Sequence, residues 1–248
     1  IYNQQWSEKD HALCTFNCMY FISTLYYGNL TMANINIIDI VAVLMMVTSF
    51  AVFGLRQYRH SIQAYALQTL LLVVIFLALY FKYGTHELLI WAITAFVIKV
   101  LFVPFYLLRL VKQLGVVVED EPVGGFFISP VIALSFSLAV AMMFYKVFIH
   151  FSLFQDVLPL YAASFIFMMG IFGFVLRNSF IKQILSYCLF ENGIHLSLAL
   201  MAYSSHELVE IGILTDAIFA VVIMSVLAKR FYAAYDSLDT SKAVNLRG

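Results

Sequence analysis

From Ile37 onward the chain alternates long apolar runs with short polar breaks, and seven runs are long enough to cross a bilayer. Crossing roughly 30 Å of hydrocarbon takes about 20 mostly apolar residues. The stretches Ile37–Leu55, Ser61–Phe81, Leu88–Val111, Phe126–Ile149, Val157–Leu176, Ser179–Tyr203 and Leu208–Ala228 meet that requirement. Backbone groups in lipid must bond within their own segment, and none of these runs shows the short alternation of barrel strands. The predicted fold class is an all-α integral membrane protein with about seven transmembrane helices.

Composition agrees with the pattern. Of 248 residues, 63% are hydrophobic and 11% charged, against roughly 45–50% and about 25% in ordinary soluble domains. So little polar surface cannot cover a water-soluble globule. Fourteen basic residues balance fourteen acidic ones, and no basic face emerges, so nucleic-acid binding has no support. Cys14, Cys18 and Cys188 are too few for a disulfide scaffold, and Cys14 and Cys18 lack a second ligand pair for a metal.

Charge also orients the spans. One set of connections carries Arg56, Arg59, Arg109, Lys112, Arg177, Lys182, Lys229, Arg230, Lys242 and Arg247; the other carries only Lys9, Lys82 and Lys146. The positive-inside bias puts the first set in the cytoplasm, with the C-terminus inside and the N-terminus outside. An odd number of spans requires the same result.

Residues 1–31 fit less well. They are polar at first and then only patchily apolar, without a basic start or a continuous apolar core. The preferred reading is a leader, with the functional chain starting at Met32; the alternative is a genuine short exterior segment. The run Glu119-Asp120-Glu121, followed by Pro122 and Gly124-Gly125, is a turn-rich linker. The expected organisation is therefore 1–31 as leader or exterior segment, 32–118 as a first three-helix unit, 119–150 as linker plus a fourth helix, and 151–248 as a second three-helix unit with a cytoplasmic tail.

The two units resemble each other. Leu55-Arg56, Leu77-Ala78-Leu79 and His86-Glu87-Leu88 match Leu176-Arg177, Leu198-Ala199-Leu200 and His206-Glu207-Leu208. Two adjacent three-span units would be inverted, and the extra fourth span makes them parallel, as in repeats related by an axis along the membrane normal. In this register Leu70 stands where Glu191 stands in the second unit, and Phe96 stands near the place of Asp216.

Ionisable groups at bilayer depth cost roughly 2.5–3.5 kcal/mol on insertion scales and mark function by default. Glu191 lies near the middle of span six, Asp216 inside span seven and Lys99 near the middle of span three. His195 follows Glu191 by four residues and shares its helix face, and Asn192 and Gln68 add neutral polar points. Buried acids of this kind, with a lysine nearby, suit a proton relay. The bland reading is that the same charges only hold helices or subunits together. Glu87, Glu207 and Glu210 fall near the exterior boundary, Asp39 suits a helix N-terminus, and Lys82 and Lys146 can snorkel.

Three segments carry a family resemblance. Leu89-Ile90-Trp91-Ala92 with Thr94 to Pro104, Tyr187-Cys188-Leu189-Phe190-Glu191-Asn192-Gly193-Ile194-His195, and Glu207 to Ala220 resemble the component E subunit of hydrogenase-4 from about Met32 to Gly248. The last three spans also look like the small K subunit of respiratory complex I, whose three helices hold two functional glutamates. Glu191 falls where the first is expected and Asp216 where the second is expected, with aspartate in place of glutamate.

The resemblance implies a membrane-arm subunit of a complex I-related assembly in the cell inner membrane. Its partners would be antiporter-like membrane subunits and hydrogenase-module subunits, in a setting such as formate-linked hydrogen evolution. Nickel–iron and iron–sulfur centres are expected on those partners, and this chain has no CxxC pairs for them. The expected role is proton or sodium-ion translocation with Glu191, Asp216, Lys99 and His195 as candidate carriers. The rivals are a purely structural scaffold in the same complex, and a seven-span receptor or stand-alone transporter.

Overall fold

The computed structural model describes residues 37–119, 125–148, 150, 157–201 and 207–245, with backbone only at 148, 207–217 and 243–245. Residues 1–31, Met32, Asp120 and Glu121 lie outside the described residues. Among the described residues, seven helices are long and apolar enough to span a membrane. They are α1 (Ile37–Gly54), α2 (Tyr58–Tyr83), α3 (His86–Leu114), α4 (Gly125–Phe148), α5 (Val157–Leu176), α6 (Phe180–Met201) and α7 (Glu207–Tyr235). No strand occurs among the described residues.

Predicted and observed spans agree one for one, and the largest difference is at α7. Apolarity ends at Ala228, but the helix continues through Lys229 and Arg230 to Tyr235. Leaving the hydrocarbon removes no intrahelical hydrogen bond, so a helix need not stop where lipid does. The ends of α2 and α3 are set by glycine instead. Gly84 (φ 70°) and Gly115 (φ 68°) adopt left-handed backbone and donate to Tyr80 O at 2.7 Å and Val111 O at 3.1 Å, as a Cβ-free residue does at low cost.

Within α3, residues Phe96–Phe102 are π-helical. Pro104, at the start of the following α-helical turn, has no N–H for the carbonyl of Val100 and its ring crowds that carbonyl, so the wider π turn relieves both conflicts. Lys99 is the buried residue of this segment, while Val97, Leu101 and Phe102 face outward.

The helices pack in a self-similar order. α1 lies on α2, α2 on α3, α5 on α6 and α6 on α7, and the halves meet through α1–α5, α2–α6 and α3–α7; α4 flanks α5. The α5–α6 contact is the closest. A Cβ added at Gly170 would collide with the backbone of Phe190, and one at Gly193 with the backbone of Phe167. Without a hydrophobic drive between helices in lipid, such small-residue approaches let dispersion contacts hold the pair.

Each half closes in the same way. Gln57 bridges Val118, and Ser179 bridges Asp239. Tyr58 N–H donates to Val117 O at 3.3 Å and Phe180 N–H to Leu238 O at 3.2 Å. Ser61 Oγ donates to Leu55 O, and Gln183 Nε2 donates to Arg177 O. This backbone register runs one residue later at α2 and α6 than the textual match, because three residues (55–57 and 177–179) connect the helices in both halves. The counterpart of Glu191 is therefore the buried Thr69, not Leu70, which faces outward.

Candidate functional site

Near mid-height, α2, α3 and α6 bring six polar side chains together. The π turn of α3 delivers Lys99, the middle of α6 delivers Glu191, Asn192 and His195, and the middle of α2 delivers Gln68 and Thr69; all are buried. Lys99 Nζ lies 2.8 Å from Glu191 Oε1, 3.0 Å from Asn192 Oδ1 and 2.6 Å from His195 Nδ1. An ammonium has three hydrogens and no lone pair, so three acceptors satisfy it. His195 Nδ1 must then accept, which puts the proton of the neutral ring on Nε2.

The ammonium also orients the amides. Because Asn192 Oδ1 accepts from Lys99, Asn192 Nδ2 is the donor side, reaching Gln68 Oε1 at 2.7 Å and Thr69 Oγ1 at 3.0 Å. Thr69 Oγ1 passes its own hydrogen to Tyr65 O at 3.0 Å. Gln68 Nε2 has no acceptor among the described residues. Sequence reading found Lys99, Glu191 and His195, and the structure brings these three into one site. It treated Asn192 and Gln68 as isolated polar points and passed over Thr69. Asp216 lies on α7, but its side chain falls outside the described residues.

A second ionic cluster sits at the membrane face that carries the α1–α2 and α5–α6 connections. Arg177 Nη1 is 2.9 Å from Glu119 Oε2, and Lys182 Nζ is 3.9 Å from the same oxygen. Arg177 Nη2 donates to Phe53 O at 2.5 Å, while its guanidinium stacks 4.3 Å from the Phe53 ring centroid. Lys182 Nζ reaches Val52 O at 2.9 Å, Leu55 O at 2.5 Å and Ser61 Oγ at 2.7 Å. The carbonyls around the end of α1 lack intrahelical partners and carry partial negative charge, so two cations suit them.

This cluster adds burial to the sequence reading of three residues. Arg177 and Lys182 count among the basic residues of one face, and Glu119 among the acids of a turn-rich linker, yet all three are buried. Burial pulls the Arg177 guanidinium below its ordinary value, and Glu119 opposes that shift. Arg56, by contrast, is exposed and lies over the Phe126 ring at 3.8 Å. The sequence signal available for the cluster was the small buried-type serine Ser61 opposite a lysine, too weak to read alone.

Fold and site together define a polytopic membrane subunit in which a buried ion pair joins two three-helix halves. No group of His, Cys, Asp and Glu able to hold a metal occurs among the described residues. Residues 158–248, which take in nearly all of α5 through α7, match the family of NADH-ubiquinone/plastoquinone oxidoreductase chain 4L. Over 214 residues the chain is 36% identical to hydrogenase-4 component E of Escherichia coli strain K12, spanning 86% of this chain and 98% of that protein. The same figures hold for hydrogenase-4 component E of Escherichia coli O157:H7 and of Shigella flexneri. No solved structure matches. The chain belongs to the hydrogenase-4 component E family.

Proposed function

We propose that the chain is an ion-translocating membrane-arm subunit in which Lys99, Glu191 and His195 share one mobile proton. The three-way contact of Lys99 with Glu191, Asn192 and His195 carries this reading. The proton has three seats: the ammonium, the Glu191 carboxyl or the His195 imidazolium. With the proton on Glu191 or His195, the neutral Lys99 amine accepts from that group and still has two hydrogens for the other two acceptors. Asn192 therefore keeps its orientation throughout, and no side chain must swing for the proton to move.

Asp216, one helix away on α7, is the proposed second carboxylate, consistent with its place in the complex I K-like segment. Antiporter-like and hydrogenase-module subunits are the proposed partners, and they would hold the nickel–iron and iron–sulfur centres. The chain would lie in the cell inner membrane with its N-terminus outside and its C-terminus in the cytoplasm. The carried ion would be a proton, or a sodium ion exchanging against it.

Glu191→Gln in the intact complex tests the reading. It should leave complex composition and hydrogen turnover under a protonophore intact, while ion transport per hydrogen is lost. A fall in complex yield with transport per assembled complex unchanged would favour the scaffold reading instead.

A further inference from the structure

Buried polarity is distributed unevenly above and below the Lys99–Glu191–His195 site. The buried face of α2 carries Tyr58, Ser61, Tyr65, Gln68 and Thr69 in its first half, then only Leu72, Val73, Ile75, Phe76 and Leu79. The spacing of three and four residues puts the polar set on one helix face. α6 matches it. Ser179 precedes the helix, Lys182 and Cys188 lie before Glu191, and beyond His195 the buried residues are Leu196, Ala199 and Leu200. α3 adds no buried polar group on the far side, where Leu88, Trp91, Ala92 and Ala95 are its buried residues.

The two polar faces touch. Tyr58 Oη and Ser179 Oγ are 2.7 Å apart, Ser61 Oγ accepts from Lys182, and Asn192 donates to Gln68 and Thr69. Between these contacts stands the buried Tyr65, one turn before Thr69 on α2, whose hydroxyl donates to Tyr65 O. From Tyr65 to Ser61 is one helical turn, about 6 Å of rise at 1.5 Å per residue. Buried Ile62, Ile184 and Leu185 occupy that level.

We infer that the mid-membrane site exchanges protons with one membrane face only, the face of the α1–α2 and α5–α6 connections, along the α2–α6 seam. Tyr65 is the first station beyond Glu191, and the Tyr58–Ser179 and Ser61–Lys182 contacts form the outer end beside Arg177 and Glu119. Ile62, Ile184 and Leu185 make the intervening turn the narrow point. The opposite half of the helix pair is a seal, because among the described residues its buried packing on α2 is apolar without a break from Leu72 to Leu79, about 10 Å of rise against one turn at the narrow point, and over that length offers a proton neither a base nor a bonded water. This inference rests on the reading that Lys99, Glu191 and His195 move protons.

The test uses the intact complex in sealed proteoliposomes, with Tyr65→Phe in the seam, Tyr58→Phe at its outer end and Phe76→Leu in the sealed half. Both tyrosine variants are expected to assemble and to keep hydrogen turnover under a protonophore. They should lose most coupled proton transport and show a larger solvent deuterium isotope effect on what remains. Phe76→Leu should couple as the unaltered protein does. Either tyrosine variant assembling with full coupling overturns the route. Glu191→Gln, measured in parallel, separates the failures. If it uncouples while the tyrosine variants do not, the route alone is wrong; if it couples normally, the reading of the site is wrong.

Discussion

Lys99 and Asn192 meet at 3.0 Å with the ammonium as donor and the amide oxygen as acceptor, and this one bond sets the polarity of the network on α2. Asn192→Leu removes an acceptor from a buried ammonium and the donor from Gln68 Oε1 and Thr69 Oγ1. Each buried group so orphaned costs about 1–3 kcal/mol. The expected outcome is a thermal transition of the complex lowered by several degrees, read by tryptophan fluorescence. Asn192→Asp should instead retain the fold and draw Gln68 into donating through Nε2, visible as a flipped amide in a structure of the variant.

Removing Lys99 alone leaves Glu191 buried without its cation. Breaking one partner of a buried pair costs about 3–5 kcal/mol, whereas replacing both by apolar groups is often neutral. Lys99→Met should therefore reduce assembled complex, and Lys99→Met combined with Glu191→Leu should recover yield without recovering ion transport. A double-mutant cycle on complex stability measures the coupling between the two sites. Additive effects would show that the pair is not energetically linked.

Lys182→Met should act at the other end of the molecule. It removes the donor to Val52 O, Leu55 O and Ser61 Oγ and leaves Arg177 to balance Glu119. The expected loss is again about 3–5 kcal/mol, with faster amide exchange at the end of α1 and the start of α2. Exchange raised evenly across all helices would contradict a local clamp.

Gly193→Val places two methyl groups against the Phe167 backbone and should separate α5 from α6. The outcome to measure is protease sensitivity of the α5–α6 connection in detergent, expected to rise sharply. Gly54→Ala, where an added Cβ meets nothing within 4 Å, is the matched substitution expected to change little.

Much of this arrangement was readable beforehand, and its limits have physical causes. Span number and position follow from apolar length, which a bilayer enforces residue by residue. Lys99, Glu191 and His195 stood out because a charge among apolar residues is costly wherever it points. Thr69 did not, since a threonine within a transmembrane helix can satisfy its hydroxyl on its own backbone, as Thr69 does with Tyr65 O. The burial of Arg177 and Lys182 was hidden for a related reason. A basic residue next to a span usually faces water, and only the free carbonyls of another helix, invisible in the text, turned these two inward. The one-residue slip between the textual and backbone registers arose because apolar sequences match tolerably in neighbouring frames, whereas paired hydrogen bonds do not.

Pro104→Ala should let α3 return to regular α-helix by restoring an N–H for Val100 O. Regularising the helix turns residues on one side of the π segment relative to the other. A structure of the variant is expected to show Lys99 displaced from Glu191. An unchanged π segment would mean that the Lys99 contacts, rather than the proline, hold it.

The ion pair draws its cation from one half of the chain and its carboxylate from the other. Neither half is therefore electrically self-sufficient. A fragment limited to α5–α7 would carry Glu191 into the bilayer as an unaccompanied anion and would have to borrow a base from another polypeptide or stay protonated. With cation and carboxylate on one polypeptide, the chain settles that balance internally.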